Sequence, residues 1–180
     1  MFRRGANAPL ASFRLRYVLA ATLAANVGIY GPAFELGDNR PREPQSEEYL
    51  DSEKYQLRHW HLTRGDSLAP LIARVNRFRR EHPAMQSDWS LAFHTADNPN
   101  VICYSKRAGD DRVITVVNLD PHNTQSAWIH LDFDALGLDT GVAYDVHDAL
   151  TGDTYHWYGA HNFVILDPAR TPGHVFSIAR

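Results

Sequence analysis

From Trp89 to the C-terminus the apolar period of the chain is two, not 3.6, and it comes in eight short runs, each closed by a turn signal. The runs are Leu91 to Thr95, Val101 to Lys106, Arg112 to Asn118, Gln125 to Leu131, Val142 to Asp148, Thr154 to Tyr158, Asn162 to Leu166 and His174 to Ile178. Between them stand Asp97-Asn98-Pro99, Gly109-Asp110-Asp111, Asp120-Pro121-His122-Asn123, Gly137 to Gly141, Thr151-Gly152-Asp153, Gly159-Ala160 and Asp167-Pro168. Short strands at regular spacing with turn chemistry between them predict an antiparallel β-sandwich of about eight strands over residues 86–180. Cys103 falls inside an apolar strand, where a buried and inert thiol is expected. Trp128 and Trp157 are both assigned to the core.

Ahead of this region the pattern is helical. Phe13, Leu15, Tyr17, Val18, Leu19 and Leu23, set among alanines, predict a largely buried helix over Ser12 to Ala25 with Ser12 as N-cap. The apolar, β-branched and aromatic Val27 to Tyr30, stopped by Gly31 and Pro32, predicts a buried strand running into a loop, and a helix followed by such a strand suggests α/β architecture. Leu68, Leu71, Ile72, Val75 and Phe78 form one face of a helix over Leu68 to Glu81, with Arg74, Arg77, Arg79 and Arg80 mostly opposite. Asp66 or Ser67 caps it, Pro70 is tolerated in its first turn and Pro83 ends it.

Residues 37–65 are polar, punctuated by Pro41 and Pro44, and long for a connection without regular structure, which points to function or disorder. Tyr49, Leu50, Tyr55, Leu57 and Trp60 argue against disorder. Asp51, Glu53 and either Glu47 or Glu48 offer a carboxylate pair of the glycosidase kind, although a solvated acidic loop is the simpler account. His59 and His61 flank Trp60 on opposite sides of an extended chain and have no third partner at metal-ligand spacing, so no metal site is expected. Lys54 with Tyr55 places a compact cation beside an aromatic face, a combination suited to sugar or phosphate oxygens and a sugar ring.

Composition excludes several classes. The 18 basic against 21 acidic residues leave a net charge of −3, too even for a nucleic-acid surface. One cysteine forbids an intramolecular disulfide and favours a reducing, cytoplasmic setting. Arg3, Arg4, Arg14 and Arg16 before the apolar run Tyr17 to Ala25 imitate a signal peptide, but apolar character resumes at Val27 after a single Asn26, and the run is too short to span a bilayer. Neither a Gly-x-Ser-x-Gly elbow nor a phosphate-cradling glycine loop occurs.

Taken in order, "FRLRYVLAATLAANVGIYGPAFEL", "SEEYLDSEKYQLRHW", "LAPLIARVNRFRREHPAMQ", "ITVVNLDPHNTQSAWIHLD" and "VHDALTGDTYHW" resemble the C-terminal part of the α-1,4-glucan:maltose-1-phosphate maltosyltransferases of the α-amylase superfamily. The resemblance runs through essentially the whole chain. It implies an α+β fragment: residues 1–85 as the last helix-strand-helix portion of a catalytic (β/α)8 TIM barrel with a donor-site loop at 37–65, followed by the antiparallel β-sandwich. It implies retaining transfer of maltosyl units from maltose 1-phosphate to the non-reducing end of α-1,4-glucans in glycogen-type synthesis, without a cofactor. The family's aspartate nucleophile, glutamate acid/base and stabilising aspartate lie upstream of the matched region, so no catalytic residue is expected in this chain and no activity from it alone. Lys54 and Tyr55 map onto the family's Lys-Tyr pair that contacts the donor sugar. The implied partners are both substrates, an upstream barrel segment and a second copy in a homodimer, with no nucleic acid and no membrane. Two alternatives stay open: a non-enzymatic sandwich that binds α-glucan or a partner protein, and a small hydrolase using Asp51 and Glu53.

Overall fold

The computed structural model describes residues 9–44, 46, 48–52 and 56–178. Helix α1 spans Leu10–Leu23 and buries Leu15, Tyr17, Val18, Ala21 and Thr22. Its N-cap is Pro9, so Ser12 does not cap it; Ser12 lies in the first turn and donates its N–H to the Pro9 carbonyl at 2.8 Å. Proline needs no partner for a missing N–H and its fixed φ suits entry into a helix, which moves the start ahead of Ser12.

Val27 to Tyr30 belongs to no helix or strand among the described residues, and Tyr30, whose backbone is extended, is 72% exposed. The expected buried strand is therefore not formed here, because extended backbone becomes a strand only when a neighbour takes its N–H and C=O groups. A short helix, α2 (Gly31–Glu35), follows it.

Helix α3 spans Ala69–Glu81 with Pro70 in its first turn. Its N-cap is Leu68, so neither Asp66 nor Ser67 holds that place; Ser67 Oγ accepts the Ala69 N–H at 3.1 Å from one residue further out, and Asp66 is held by Arg64 at 2.5 Å. Arg79 departs from the expected solvent face and is buried. A 3₁₀ turn, Pro83–Gln86, leads into the sheet.

The strands are β1 (Ala92–Ala96), β2 (Val101–Ala108), β3 (Asp111–Asn118), β4 (Gln125–His130), β5 (Ala143–Asp148), β6 (Thr154–Tyr158), β7 (His161–Leu166) and β8 (Gly173–Ile178). All pair antiparallel in the single order β6-β5-β8-β3-β2-β1-β4-β7. The eight antiparallel strands are as expected, but the expected sandwich of two separate sheets is not formed: they join in one sheet. β1 hydrogen-bonds on both edges, with Phe93 opposite Tyr104 of β2 and Thr95 opposite His130 of β4. One continuous sheet thus curls around a core that includes Cys103, Ile114 and Phe176 from one limb and Ala127, Ile129, Val164 and Leu166 from the other. Between β4 and β5 sits a one-turn helix, α4 (Phe133–Leu136), capped by the Asp132 carboxylate and ended by Gly137 at φ 61°. A Cβ at Gly137 would run into the Arg107 guanidinium.

The outer face of β3 and β8 carries a second apolar layer, in which Val113, Val117 and Val175 meet Leu15, Val18, Ala21, Val75 and Phe78 of α1 and α3. The helices and the sheet share this layer. Trp157 is buried as expected, but Trp128 is 53% exposed and not in the core. Its neighbours Ala127 and Ile129 point inward, and a period of two puts Trp128 on the opposite face. Among the described residues no helix is long and apolar enough to cross a membrane.

Candidate functional site

The loop after α2 is tied across its base. Leu50 N–H donates to the Arg40 carbonyl at 2.7 Å and Arg42 N–H to the Glu48 carbonyl at 2.9 Å, forming a bridge around Pro41 and Tyr49. Beside it opens a cleft of about 220 Å³ lined by Arg42, Tyr49, Leu50, Asp51, Ser52 and Gln56. Asp51 has φ 55°, the only left-handed non-glycine among the described residues, in the region that Asp and Asn enter most readily.

Lys54 and Tyr55, with Glu53 and Glu47, lie outside the described residues; Ser52 and Gln56 on either side of the first three line the cleft. Asp51 is the only carboxylate among the described lining residues. Of the Asp51 and Glu53 pair on which the small-hydrolase alternative rests, only Asp51, an exposed residue, is described. His59 and His61 are exposed, and among the described residues no group of three or more His, Cys, Asp or Glu side chains could hold a metal ion.

What holds the loop is Arg58, which the sequence reading passed over. Its Nη2 pairs with Asp38 Oδ2 at 2.7 Å and its Nη1 donates to the Leu50 carbonyl at 3.1 Å. The guanidinium lies 3.9 Å from the Trp60 ring centroid and 5.9 Å from that of Tyr49. A planar cation between two aromatic rings, with two directed hydrogen bonds, joins both ends of the loop to its middle. Arg58 is a positioning residue for the cleft. Arg58→Ala is expected to raise proteolytic cleavage between residues 38 and 60 about tenfold while leaving the sheet's unfolding midpoint unchanged, and Arg58→Lys to rescue it only in part, because an ammonium cannot stack and fork together. Limited proteolysis read by mass spectrometry checks this.

Cys103 and His94, away from the loop, are structural. Burial pushes the Cys103 thiol up to about 12, as befits the inert thiol expected of it. Burial also lowers the His94 imidazole, which bonds Ser105 Oγ at 2.8 Å through Nε2 and accepts the Asp132 N–H at Nδ1.

Residues 93–178 match the family model described as "GLGE, C-terminal". These residues belong to that family. Nearly the whole chain is similar to the C-terminal part of its maltosyltransferases. α-1,4-Glucan:maltose-1-phosphate maltosyltransferase 2 of Streptomyces coelicolor is 53% identical over 173 residues, 94% of this chain and 26% of that protein. The enzyme of the same name from Methylacidiphilum infernorum is 43% identical over 96% of this chain and 26% of its own length. The chain thus spans about a quarter of the length of these relatives. Among solved structures, the α-amylase of Geobacillus thermoleovorans complexed with acarbose matches with a TM-score of 0.65 at 18% identity, over 97% of this chain and 34% of that one. An Anoxybacillus α-amylase matches at 0.67 and 15% identity, over 96% and 33%. At such identities the likeness concerns the fold alone, and it places the sheet with the C-terminal sheet domains of α-amylases.

Proposed function

We propose that the chain is the C-terminal portion of a retaining transferase that moves maltosyl units from maltose 1-phosphate to the non-reducing ends of α-1,4-glucans, and that it is inactive alone. The observation that carries the reading is the extent of the match to the maltosyltransferases, which leaves almost no residue of this chain outside it while covering a quarter of theirs. In this reading residues 1–85 complete a (β/α)8 barrel and residues 86–180 form the appended domain. Val27 to Tyr30, outside any strand among the described residues, is then the last barrel strand, and the apolar surface at Ile29, Tyr30, Leu57 and Leu62 is covered by the upstream barrel segment. Unpaired backbone and exposed apolar side chains on consecutive elements are what a missing layer leaves behind.

The loop from 37 to 65 then follows a strand's C-terminal end, where barrel active sites are assembled, and brings Lys54 and Tyr55 to the donor sugar. Lysine supplies a charged donor to sugar hydroxyls and tyrosine a stacking face. The nucleophile and the acid/base are supplied by the upstream segment, with the pair placed on opposite sides of the scissile bond as retention requires. A cytoplasmic homodimer acting in glycogen-type synthesis completes the reading.

The test is phosphate release from maltose 1-phosphate with a maltooligosaccharide acceptor. Turnover is expected only when this chain is mixed with an upstream barrel segment of a relative. Lys54→Ala or Tyr55→Ala is then expected to lower kcat/KM about tenfold, the size of one lost charge-assisted hydrogen bond or ring contact. Turnover by the chain alone overturns the placing of the carboxylates upstream, and an unaffected kcat/KM in both variants removes the two residues from the donor site.

A further inference from the structure

The half of the curled sheet that the helices leave uncovered carries an aromatic platform. β4 and β7 end the strand order, three and four positions away from β3, whose outer face is covered by α1 and α3. Their inner residues Ala127, Ile129, Val164 and Leu166 are in the core, so every second residue faces out. The outer residues stand in three cross-strand rungs: Ser126 with Ile165, Trp128 with Phe163, and His130 with His161. Trp128, Phe163 and Ile165 are 53, 46 and 59% exposed. The Trp128 and Phe163 rings lie 5.3 Å apart, inclined at 52°, and the two imidazoles meet edge to face at 4.3 Å.

The platform is held rigidly. Asp97 takes the Trp128 N–H on Oδ1 at 2.8 Å and gives its own N–H to the Trp128 carbonyl at 3.2 Å. This fixes the backbone beneath the indole and sets an exposed aspartate beside it. None of the six outward side chains carries a fixed charge. The surface therefore offers nothing to a phosphate backbone or an acidic peptide, whose recognition depends on Lys and Arg. It does offer apolar ring faces flanked by two imidazoles, each able to donate and accept, together with a serine hydroxyl and a carboxylate oxygen. That is the chemistry of a neutral polyhydroxylated ligand, with C–H faces for the rings and hydroxyls for the rim. Two rings inclined at 52° make a curved platform, which suits a glucan whose successive residues turn relative to one another better than a flat ribbon.

We infer that Trp128, Phe163, His130 and His161 form a docking surface for α-1,4-glucan chains, separate from the cleft beside residues 37–65. The choice of glucan rests on the reading of the chain as part of a glucan-extending transferase. Holding one stretch of a polymer here raises the local concentration of its ends for the transferase, a gain open to long chains and not to short acceptors.

Affinity electrophoresis of this chain through gels containing soluble amylopectin, with dextran gels as reference, tests the inference. Retardation by amylopectin and not by dextran is expected, with affinity reduced at least about tenfold in Trp128→Ala, abolished in Trp128→Ala/Phe163→Ala and largely kept in Trp128→Tyr. Unchanged thermal midpoints of these surface variants establish that folding is intact. No retardation of the unmodified chain, or retardation that survives the double variant, overturns the docking surface. So does a dimer in sedimentation that the double variant dissolves, since the platform is then covered by a second copy. Because this assay requires no transfer, loss of binding alongside phosphate release in the reconstituted enzyme refutes the platform alone, and binding without phosphate release refutes the transferase reading alone.

Discussion

Asp148→Ala is expected to lower the unfolding free energy by about 3–5 kcal/mol, the cost of removing a fully buried carboxylate from the donors gathered on it. Asp148 ends β5 and is fully buried. Its Oδ1 accepts the N–H groups of Leu150 at 3.0 Å and Val175 at 3.1 Å, and its Oδ2 the Thr151 hydroxyl at 2.9 Å and His174 Nδ1 at 2.8 Å. One carboxylate therefore shapes the β5–β6 turn and pins it to β8. His174 is in turn stacked on Phe176, with ring centroids 5.0 Å apart. Alanine leaves all four donors without their acceptor in a site with little room for water.

The same carboxylate gives the sheet an acid limb. Burial pushes the Asp148 carboxyl up, but the His174 hydrogen bond and charge, with the N–H groups of Leu150 and Val175, outweigh it and hold the group below the ordinary carboxylate range. A folded-state value below that of the unfolded chain, which lies near 4, means the stabilisation is present above about pH 4 and is lost as pH falls through the folded value. Asp148→Asn keeps the shape and, with its oxygen in the Oδ1 place, both backbone bonds, while the threonine hydroxyl and the imidazole can reverse their roles. It is expected to cost only about 1–2 kcal/mol at pH 7 and to lose this component of the acid limb. Urea unfolding from pH 7 to 2.5 measures both effects, and an asparagine variant with the acid limb of the unmodified chain would assign that limb to other carboxylates.

The strands were legible because alternation and turn chemistry are local. Each of the eight runs recurs as a strand within about two residues of its expected ends. What alternation does not settle is which face is inside when both carry apolar residues. In β4 and β7 the inward set is Ala127, Ile129, Val164 and Leu166 and the outward set includes Trp128, Phe163 and Ile165. Ser126 and His130 share the parity of Trp128, and that polar company was the available signal. Val27 to Tyr30 has strand-like composition without a partner strand among the described residues, and composition cannot supply one. For the candidate site, Lys54 and Tyr55 rest on the resemblance rather than on their spacing, and both lie outside the described residues. Arg58 was missed because its partner Asp38 is twenty residues away, with no periodicity linking the two.

Arg79, within a helix, differs from Arg58 in this respect and leads to a second large effect. Its place was readable: Arg79 follows Leu71 by eight positions and Val75 by four, on the apolar stripe of α3. The arginine is buried there because it ends α1. Nη1 donates to the carbonyls of Ala21 and Ala24, the latter at 3.0 Å, and Nη2 to that of Ala25 at 2.6 Å. These belong to the last turn of α1 and the residues just after it, where carbonyls have no intrahelical partner and the helix dipole favours a cation. One guanidinium thus satisfies three acceptors and fastens α1 to α3 above the outer layer on β3 and β8. Arg79→Met retains most of the stem's apolar packing and removes every donor, so it isolates the hydrogen bonds. The expected loss is about 3 kcal/mol, because several carbonyls lose a charged donor in a partly dry site. Arg79→Lys should recover less than half of it, since one ammonium cannot reach three carbonyls spread over the helix end. Hydrogen exchange separates this from a general weakening: amides of α1 should lose protection first, while those of β4 and β7, remote from the helix layer, keep theirs. Equal loss of protection in β4 and β7 would mean that the helix layer and the curled sheet unfold as one unit, and that Arg79 secures the sheet as well as the helix it caps.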